Sequence, residues 1–127
     1  MNLLLDTHVF LWWDAGSEKL GTRAKSLIET SGNTVFVSAA SVLEIAIKRR
    51  LGKLAFAGSA SAAIDLNGFA ELPISAAVCE AAGGLDWAHG DPFDRLLLAQ
   101  AQRHELSLVT ADAVLLEYGG VAIVPAR

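Results

Sequence analysis

The sequence predicts an α/β fold, a three-layer α/β/α sandwich built on a parallel sheet. Short segments rich in apolar or β-branched residues alternate with longer amphipathic segments along the chain, the order that gives parallel strands covered by helices on both faces. Residues 3–5 are continuously apolar and stop at Asp6, as expected for a central strand buried on both faces. With 127 residues, the chain has the length of one domain, and we expect a single domain over residues 1–127.

Apolar spacing and stop residues define the elements of the first half of the chain. Strands are expected where short runs are apolar, β-branched or aromatic, and helices where apolar residues recur at helical spacing. In chain order these criteria predict strand 3–5, helix 8–14, helix 17–31, strand 34–38 and helix 39–51. Gly32 and Gly52 follow the second and third helices, where glycine commonly ends a helix.

The second half continues the alternation after a small-residue loop over residues 53–61. The predicted elements are helix 62–69, strand 71–74, helix 75–82, loop 85–90, a helix from residue 92, strand 106–110, helix 111–117 and strand 121–124. Pro73 lacks an N–H group, so the strand that contains it is expected at an edge of the sheet. Asp91 has the position of an N-cap, and Pro92 suits the first position of the helix.

Charge and hydrophobicity restrict the kinds of partner. The net charge is −4 and the isoelectric point is near 5.2, which argues against a plain DNA-binding module. A nucleic-acid contact would need a local basic patch, and the concentrated basic run is Lys48, Arg49, Arg50 and Lys53. The 53% hydrophobic content and mean hydropathy of +0.41 predict apolar surface covered by a partner or a second copy. Trp12 and Trp13 are adjacent and cannot both face one core, so one is expected at an interface.

The single cysteine and the first residues indicate the compartment. One cysteine, Cys79, excludes an intrachain disulfide and a cysteine zinc site and fits a reducing cytoplasm. Its alanine neighbours favour a small core residue. The apolar run at the N-terminus is broken by Asp6, His8 and Asp14 and lacks a basic start. We therefore expect a cytoplasmic protein with neither a signal peptide nor a membrane span.

Four carboxylates occupy comparable positions: Asp6, Glu44, Asp94 and Asp112. Three of them follow strands or begin the next helix, so they are expected at one edge of the sheet, where ligands of such folds bind. Asp94 joins them only if the N-terminus of its helix points to that edge, which the pattern leaves open. Each acid also has an ordinary explanation, because Asp6 and Asp112 can be helix caps and Asp94 can be favoured by the helix dipole. Glu44 can form a capping box with Ser41.

Clustered carboxylates repel one another unless a cation is bound. Magnesium prefers carboxylate oxygen and works with phosphate-bearing substrates, and manganese accepts the same ligands. Such a metal can activate water for phosphodiester hydrolysis. The acids therefore point to metal-dependent hydrolysis of a nucleic-acid backbone. Asp91 is interpreted as an N-cap, His8 and His89 as residues close enough to contact a phosphate, and Thr110 as a residue that could order a metal-bound water.

Four motifs resemble one family of proteins. They are Leu-Leu-Asp6-Thr-His-Val-Phe-Leu-Trp-Trp, Ser-Ala-Ala-Ser-Val-Leu-Glu44-Ile-Ala-Ile-Lys, Asp91-Pro-Phe-Asp94-Arg-Leu-Leu-Leu-Ala-Gln-Ala and Val-Thr-Ala-Asp112. In this order they are similar to the motifs of PIN-domain proteins, specifically the VapC-like toxins of bacterial type II toxin-antitoxin systems. Residues 85–90 depart from the pattern, because relatives tend to have a proline and a further basic residue before the third motif.

The resemblance implies a PIN fold with a parallel sheet of about five strands and a Mg²⁺- or Mn²⁺-dependent endoribonuclease that cuts RNA. It implies that Asp6, Glu44, Asp94 and Asp112 form the catalytic metal site. It also implies a homodimer inhibited by a cognate antitoxin protein, which often places an arginine near the acids.

Two alternatives remain beside the ribonuclease. One is a phosphatase or phosphotransferase with Asp6 as nucleophile, but His8 stands where such enzymes commonly have a second carboxylate, and Glu44 would have no role. The other is a catalytically silent PIN-like binding module, which is disfavoured because all four acids are present.

Overall fold

The computed structural model describes residues 1–127 and contains a five-stranded sheet in which all strands are parallel. The strands are β1 (Asn2–Leu5), β2 (Thr34–Ser38), β3 (Ala70–Leu72), β4 (Ser107–Thr110) and β5 (Ile123–Pro125). Their order is β3-β2-β1-β4-β5, so β1 is central and β3 is an edge strand, as predicted. Leu4 pairs with Phe36 on one side and with Leu108 on the other.

Seven helices connect and cover the strands. They are α1 (Thr7–Ala15), α2 (Thr22–Glu29), α3 (Ala39–Arg50), α4 (Ala60–Leu66), α5 (Ala76–Gly83), α6 (Pro92–His104) and α7 (Ala113–Leu116). Serine side chains cap several of them; Ser59 accepts from Ala62 N and Ser75 accepts from Val78 N. None of the helices combines the length and apolarity needed to cross a bilayer.

The two faces of the sheet bury separate cores, which confirms the three-layer prediction. Leu3 and Leu5 of β1 belong to a core that includes residues of α1 to α4, such as Phe10 and Ile64. Leu4, whose side chain points to the opposite face, belongs to a second core with residues of α6. Because β1 is buried on both faces, its uniform apolar composition is explained.

The helix predicted over residues 17–31 is shorter in the structure. Helix α2 begins at Thr22 and ends at Glu29, before Gly32. The physical reason lies at Gly21, whose N–H donates to the carbonyl oxygen of Ala126 at 2.7 Å. A Cβ at Gly21 would lie 3.0 Å from the Cα of Arg127. Close packing against the segment after β5 therefore holds the chain before α2 outside a helix.

The structure changes the expectation for Cys79 and refines the one for the Trp12–Trp13 pair. Cys79 is exposed, not a core residue, because α5 turns Val78 and Ala82 toward α6 and leaves Cys79 outward. Trp12 and Trp13 are both half-buried against the core. Trp13 is fixed by a hydrogen bond from its Nε1 to Asn67 Oδ1 at 3.0 Å, so Trp12 is the less constrained of the pair, and its role at an interface stays a prediction.

Candidate active site

Asp6 lies where β1 ends and α1 begins, at the centre of the sheet. Its side chain is 7% exposed. Oδ1 accepts from the backbone N–H of Thr7 at 2.7 Å, and Oδ2 accepts from the Thr110 hydroxyl at 2.8 Å. The same Thr110 oxygen accepts from the N–H of Asp112 at 3.0 Å. The hydroxyl of Thr110 therefore connects the ends of β1 and β4 and orients two of the predicted acids.

Glu44 lies in the second turn of α3, which rules out the capping box with Ser41 that offered an ordinary explanation for it. Helix α3 begins three residues earlier than that box requires, and its N-cap is Ser38, whose Oγ accepts from Ala40 N at 3.0 Å. The Glu44 side chain is buried and turns toward β1, where the Thr7 hydroxyl donates to Oε1 at 2.6 Å. Thr7 Oγ1 also lies 2.9 Å from Ser41 Oγ. A hydroxyl has one proton, so Ser41 can donate to Thr7 while Thr7 donates to Glu44.

Lys48 provides the one salt bridge of the chain. Its Nζ lies 2.6 Å from Glu44 Oε2, one helical turn away. The hydrogen bond to Glu44 raises the pKa of Lys48 above its usual range, and the charges of Asp91 and Asp94 add to this effect. The Lys48 ammonium therefore stays charged at neutral pH and offsets part of the acidic charge.

The N-terminus of α6 brings Asp94 to the other acids. Asp91 is the N-cap, as predicted, and its Oδ1 accepts from Phe93 N at 2.9 Å and from Asp94 N at 3.1 Å. The Asp94 carboxylate is half-buried and accepts no hydrogen bond. Burial, followed by the charges of four carboxylates, raises the pKa of Asp94 to about 7; the four are Asp91, Asp6, Asp112 and Glu44. The N-terminus of α6 therefore lies close enough to Asp6, Asp112 and Glu44 for their charges to act on Asp94.

Asp112 serves as the N-cap of α7. Its Oδ1 accepts from Val114 N at 2.9 Å and from Leu115 N at 3.4 Å, whereas Oδ2 has no hydrogen-bond partner. Asp6 and Asp112 therefore do have the capping roles that offered an ordinary explanation for them. Capping does not explain the Asp94 carboxylate, which accepts no hydrogen bond and forms no salt bridge.

The electrostatics of this cluster suit a divalent cation. Burial raises the pKa of Asp6 as well, with opposing contributions from the Thr110 and Thr7 hydrogen bonds and from His8, and a further rise due to Glu44. The acids themselves offer carboxylate oxygens, the ligands that Mg²⁺ and Mn²⁺ prefer. In this conformation no three Asp, Glu, His or Cys side chains are close enough to hold one ion. Ion binding would require rotation of side chains, and Asp94 is free to rotate because it makes no hydrogen bond.

Two cavities flank the acids and share His8. One, of about 210 Å³, is lined by Asp6, His8, Trp12, Ala111, Asp112 and Arg127. The other, of about 270 Å³, is lined by Thr7, His8, Leu11, Lys48, Lys53 and Leu54. Exposed His8 therefore stands between them, close to the acids as predicted. His89 contacts none of the acids; its ring packs against Trp87, with centroids 4.8 Å apart.

Sequence reasoning missed Arg95, which organises the loop before α6. Its guanidinium donates to five backbone carbonyl oxygens, at 2.8 to 3.3 Å, those of Ala82, Gly83, Leu85, Trp87 and His89. The sequence analysis also missed Thr7, which joins the Asp6 segment to Glu44. The available signal was position, because Arg95 directly follows Asp94 and Thr7 directly follows Asp6.

The PIN domain family matches residues 3–121 of the sequence, and no curated protein matches it. Among solved structures, the chain is similar to a chain of VapBC2 from Rickettsia felis bound to promoter DNA, with 16% identity, a TM-score of 0.69 and 98% of each chain covered. A toxin-antitoxin complex from Klebsiella pneumoniae gives 21% identity, a TM-score of 0.68 and 98% of each chain. VapC20 from Mycobacterium tuberculosis, a sarcin-ricin loop cleaving toxin, gives 18% identity and a TM-score of 0.64, with 97% of this chain and 99% of that chain covered.

Proposed function

Because the match over residues 3–121 places this chain in the PIN-domain family, we propose that it is a metal-dependent endoribonuclease and the toxin of a toxin-antitoxin pair. In this proposal Asp6, Glu44, Asp94 and Asp112 hold Mg²⁺ or Mn²⁺. The observation that carries the proposal is Asp94, a half-buried carboxylate without a hydrogen bond that faces the other three acids. An uncompensated group of this kind costs folding free energy, and a bound cation would offset that cost.

The contacts of the chain assign a task to each residue. Thr7 and Thr110 hold Asp6 in one orientation through both of its oxygens, and Thr7 also holds Glu44. Asp94 releases its proton when a cation is bound beside it, because positive charge lowers the pKa of a carboxyl group. The chemistry that Mg²⁺ or Mn²⁺ would supply, if held by these acids, is neutralisation of charge at the scissile phosphate and activation of the attacking water.

The cluster of acids favours the ligand role of Asp6 over the phosphotransferase alternative. Each oxygen of Asp6 accepts one hydrogen bond, from Thr7 or from Thr110, and keeps a lone pair that can bind a cation. The phosphotransferase alternative gives no role to Glu44, whereas a shared cation would give one to every acid of the cluster.

Two partners belong to the proposal. The similar structures include toxin-antitoxin complexes from Rickettsia felis, Klebsiella pneumoniae and Salmonella typhimurium. They support a cognate antitoxin as the partner of this chain, and we place both proteins in the cytoplasm. A cavity of about 390 Å³ that includes Leu11, Trp12, Leu54 and Phe56 offers apolar surface near the acids for such a partner. For a homodimer, the candidate surface is the exposed apolar stripe along α3 and its C-cap. The stripe consists of three residues one turn apart: Leu43 (53% exposed), Ile47 (42%) and Leu51 (60%).

The test is cleavage of total RNA by purified protein in Mg²⁺, Mn²⁺ or EDTA. We expect discrete fragments with either metal, none in EDTA, and none from Asp6→Asn or Asp94→Asn variants that keep the wild-type circular dichroism spectrum. Asp86→Asn is the matched control, because Asp86 is exposed and makes no contact with the cluster. Cleavage that survives in Asp94→Asn would mean a contaminating nuclease or a different site. Absence of cleavage by wild type freed of any co-purified partner would favour a binding module.

A further inference from the structure

The 210 Å³ cavity beside the acids contains the indole ring of Trp12 and the guanidinium group of Arg127, which forms no hydrogen bond. The Cζ of Arg127 lies 5.8 Å from the centroid of the Trp12 ring, and both residues line the cavity with Asp6 and Asp112. Arg127 is exposed, belongs to no salt bridge and donates no side-chain hydrogen bond. All of its N–H donors are therefore available to a ligand.

The backbone that carries Arg127 is fixed next to the acids even though its side chain is free. Ala126 is fully buried, and its N–H donates to the carbonyl oxygen of Thr110 at 2.8 Å. Thr110 is also the residue that holds Asp6. On the other side, the N–H of Gly21 donates to the Ala126 carbonyl oxygen at 2.7 Å. Two anchors thus keep the base of the Arg127 side chain at the rim of the site.

Three other cations near the acids, Lys48, Arg49 and Arg95, are already engaged within the fold, whereas Lys53 is not. Lys48 pairs with Glu44, and Arg49 donates to the carbonyl oxygens of Phe56 and Gly58 at 3.2 and 2.6 Å. Arg95 is occupied by the carbonyls of the loop before α6. The basic run predicted as the nucleic-acid contact is therefore partly consumed within the fold, and Arg127 supplies free positive charge on the opposite side of His8 from Lys53.

We propose that this cavity is a nucleotide subsite for single-stranded RNA, in which Arg127 moves from the Trp12 ring to bind the phosphate next to the scissile one, and Trp12 stacks on the base of that nucleotide with the face that Arg127 covers in the free protein. The inference rests on the proposed function, because it takes the scissile phosphate to lie at the acids. Arginine binds phosphate through two parallel N–H donors, and an indole ring stacks on any unpaired base. A paired base would not expose its face, so the subsite selects single strands.

The test measures binding separately from cleavage. A labelled ten-nucleotide single-stranded RNA of mixed sequence is titrated, with fluorescence anisotropy, into the Asp6→Asn protein in Mg²⁺. Adding Arg127→Gln is expected to weaken binding about tenfold and to lower the salt slope by about 0.7, the value for one phosphate on a single strand. Arg103→Gln is the matched control, because Arg103 is exposed at the far end of α6, and it should change neither quantity.

Trp12 is tested by a pair of substitutions. Trp12→Leu is expected to weaken binding about tenfold, the effect of losing one base–aromatic stack, whereas Trp12→Phe should retain most of the affinity. RNA should quench indole fluorescence in the Asp6→Asn protein and much less after Trp12→Phe. Equal losses for Leu and Phe, equal losses for Arg127→Gln and Arg103→Gln, or no binding by the Asp6→Asn protein would overturn the subsite.

The two proposals fail in distinguishable ways. If wild type cuts RNA but Arg127→Gln leaves KM unchanged, the subsite is wrong and the nuclease stands. If wild type cuts nothing but binding still depends on Arg127 and Trp12, the nuclease is wrong, and the cavity is an RNA-binding site without cleavage.

Discussion

Replacing Asp94 with asparagine should stabilise the metal-free protein while removing metal-dependent cleavage. Burial and four neighbouring carboxylates raise the pKa of Asp94 from 3.8 to about 7. A folded-state pKa above the unfolded one means that the folded protein holds the proton more tightly, so stability falls as the pH rises from about 4 to about 7 and the full penalty is present above 7. Asparagine has a similar shape and no charge, so it removes the free-energy cost of holding a negative charge at this half-buried position.

The magnitude follows from the size of the pKa change. At about 1.4 kcal/mol per pKa unit, the rise from 3.8 to about 7 would cost about 4 kcal/mol in a fully buried site. Because Asp94 is half-exposed, solvent screening reduces this to about 2 kcal/mol. For a domain of this size, a gain of about 2 kcal/mol raises Tm by roughly 6 to 10 °C. At pH 5 the gain should be less than half of that at pH 8.

The assay is thermal unfolding of wild type and Asp94→Asn in EDTA at pH 5 and pH 8, with Asp86→Asn as control. Excess Mn²⁺ should then raise the Tm of wild type at pH 8 and have a smaller effect on Asp94→Asn, because binding to the folded state stabilises it. The reasoning is refuted if Asp94→Asn is no more stable than wild type at pH 8, or if its advantage is the same at both pH values.

Three further substitutions test the supporting contacts. Thr110→Val removes the donor to Asp6, so we expect Mn²⁺ affinity, measured by calorimetry, to fall several-fold and stability to fall by about 1 to 2 kcal/mol; unchanged affinity would deny Thr110 a positioning role. Lys48→Gln frees Glu44 from its ion pair and should tighten Mn²⁺ binding, and weaker binding would contradict competition between the ammonium and the metal. Arg95→Lys leaves most of the five loop carbonyls without a donor, so limited proteolysis should cut the loop before α6 faster than in wild type, with about 2 kcal/mol lower stability in urea; an unchanged digestion rate would count against this account.

Patterns within single segments were enough to predict most of the fold. The uniform apolar run of β1 indicated a central strand. The third strand was correctly expected at an edge, although it ends at Leu72 and Pro73 lies just outside it. The start of α6 was predicted from Asp91 and Pro92, because a cap is a local arrangement of neighbouring residues. Errors arose where distant segments decide the outcome, as at Gly21, where contact with the segment after β5 prevents the helix from starting earlier.

The site was harder to predict than the fold because its contacts join remote positions. Local spacing allowed a capping box of Glu44 with Ser41 as an alternative to a metal-ligand role, but the hydroxyl that donates to Glu44 is that of Thr7, 37 residues away. Cys79 and Val78 are adjacent small residues, and only the packing of α5 on α6 decides which one is buried. Arg127 belongs to no motif, and its place beside Trp12 follows from the pairing of β5 with β4.

The hydrogen bond between Thr110 and Asp6 joins residues 104 positions apart, and this separation affects synthesis on the ribosome. At cellular elongation rates, the two residues emerge roughly five to twenty seconds apart. During that interval β1 lacks β4, one of its two neighbours, and an unpaired apolar strand edge is exposed to aggregation or to chaperones. The Asp6 carboxylate also lacks its partner until then, so a nascent chain cannot assemble the acid cluster. A toxin with this topology would become active only after residue 110 had been translated. This delay gives an antitoxin time to be made before the toxin is active.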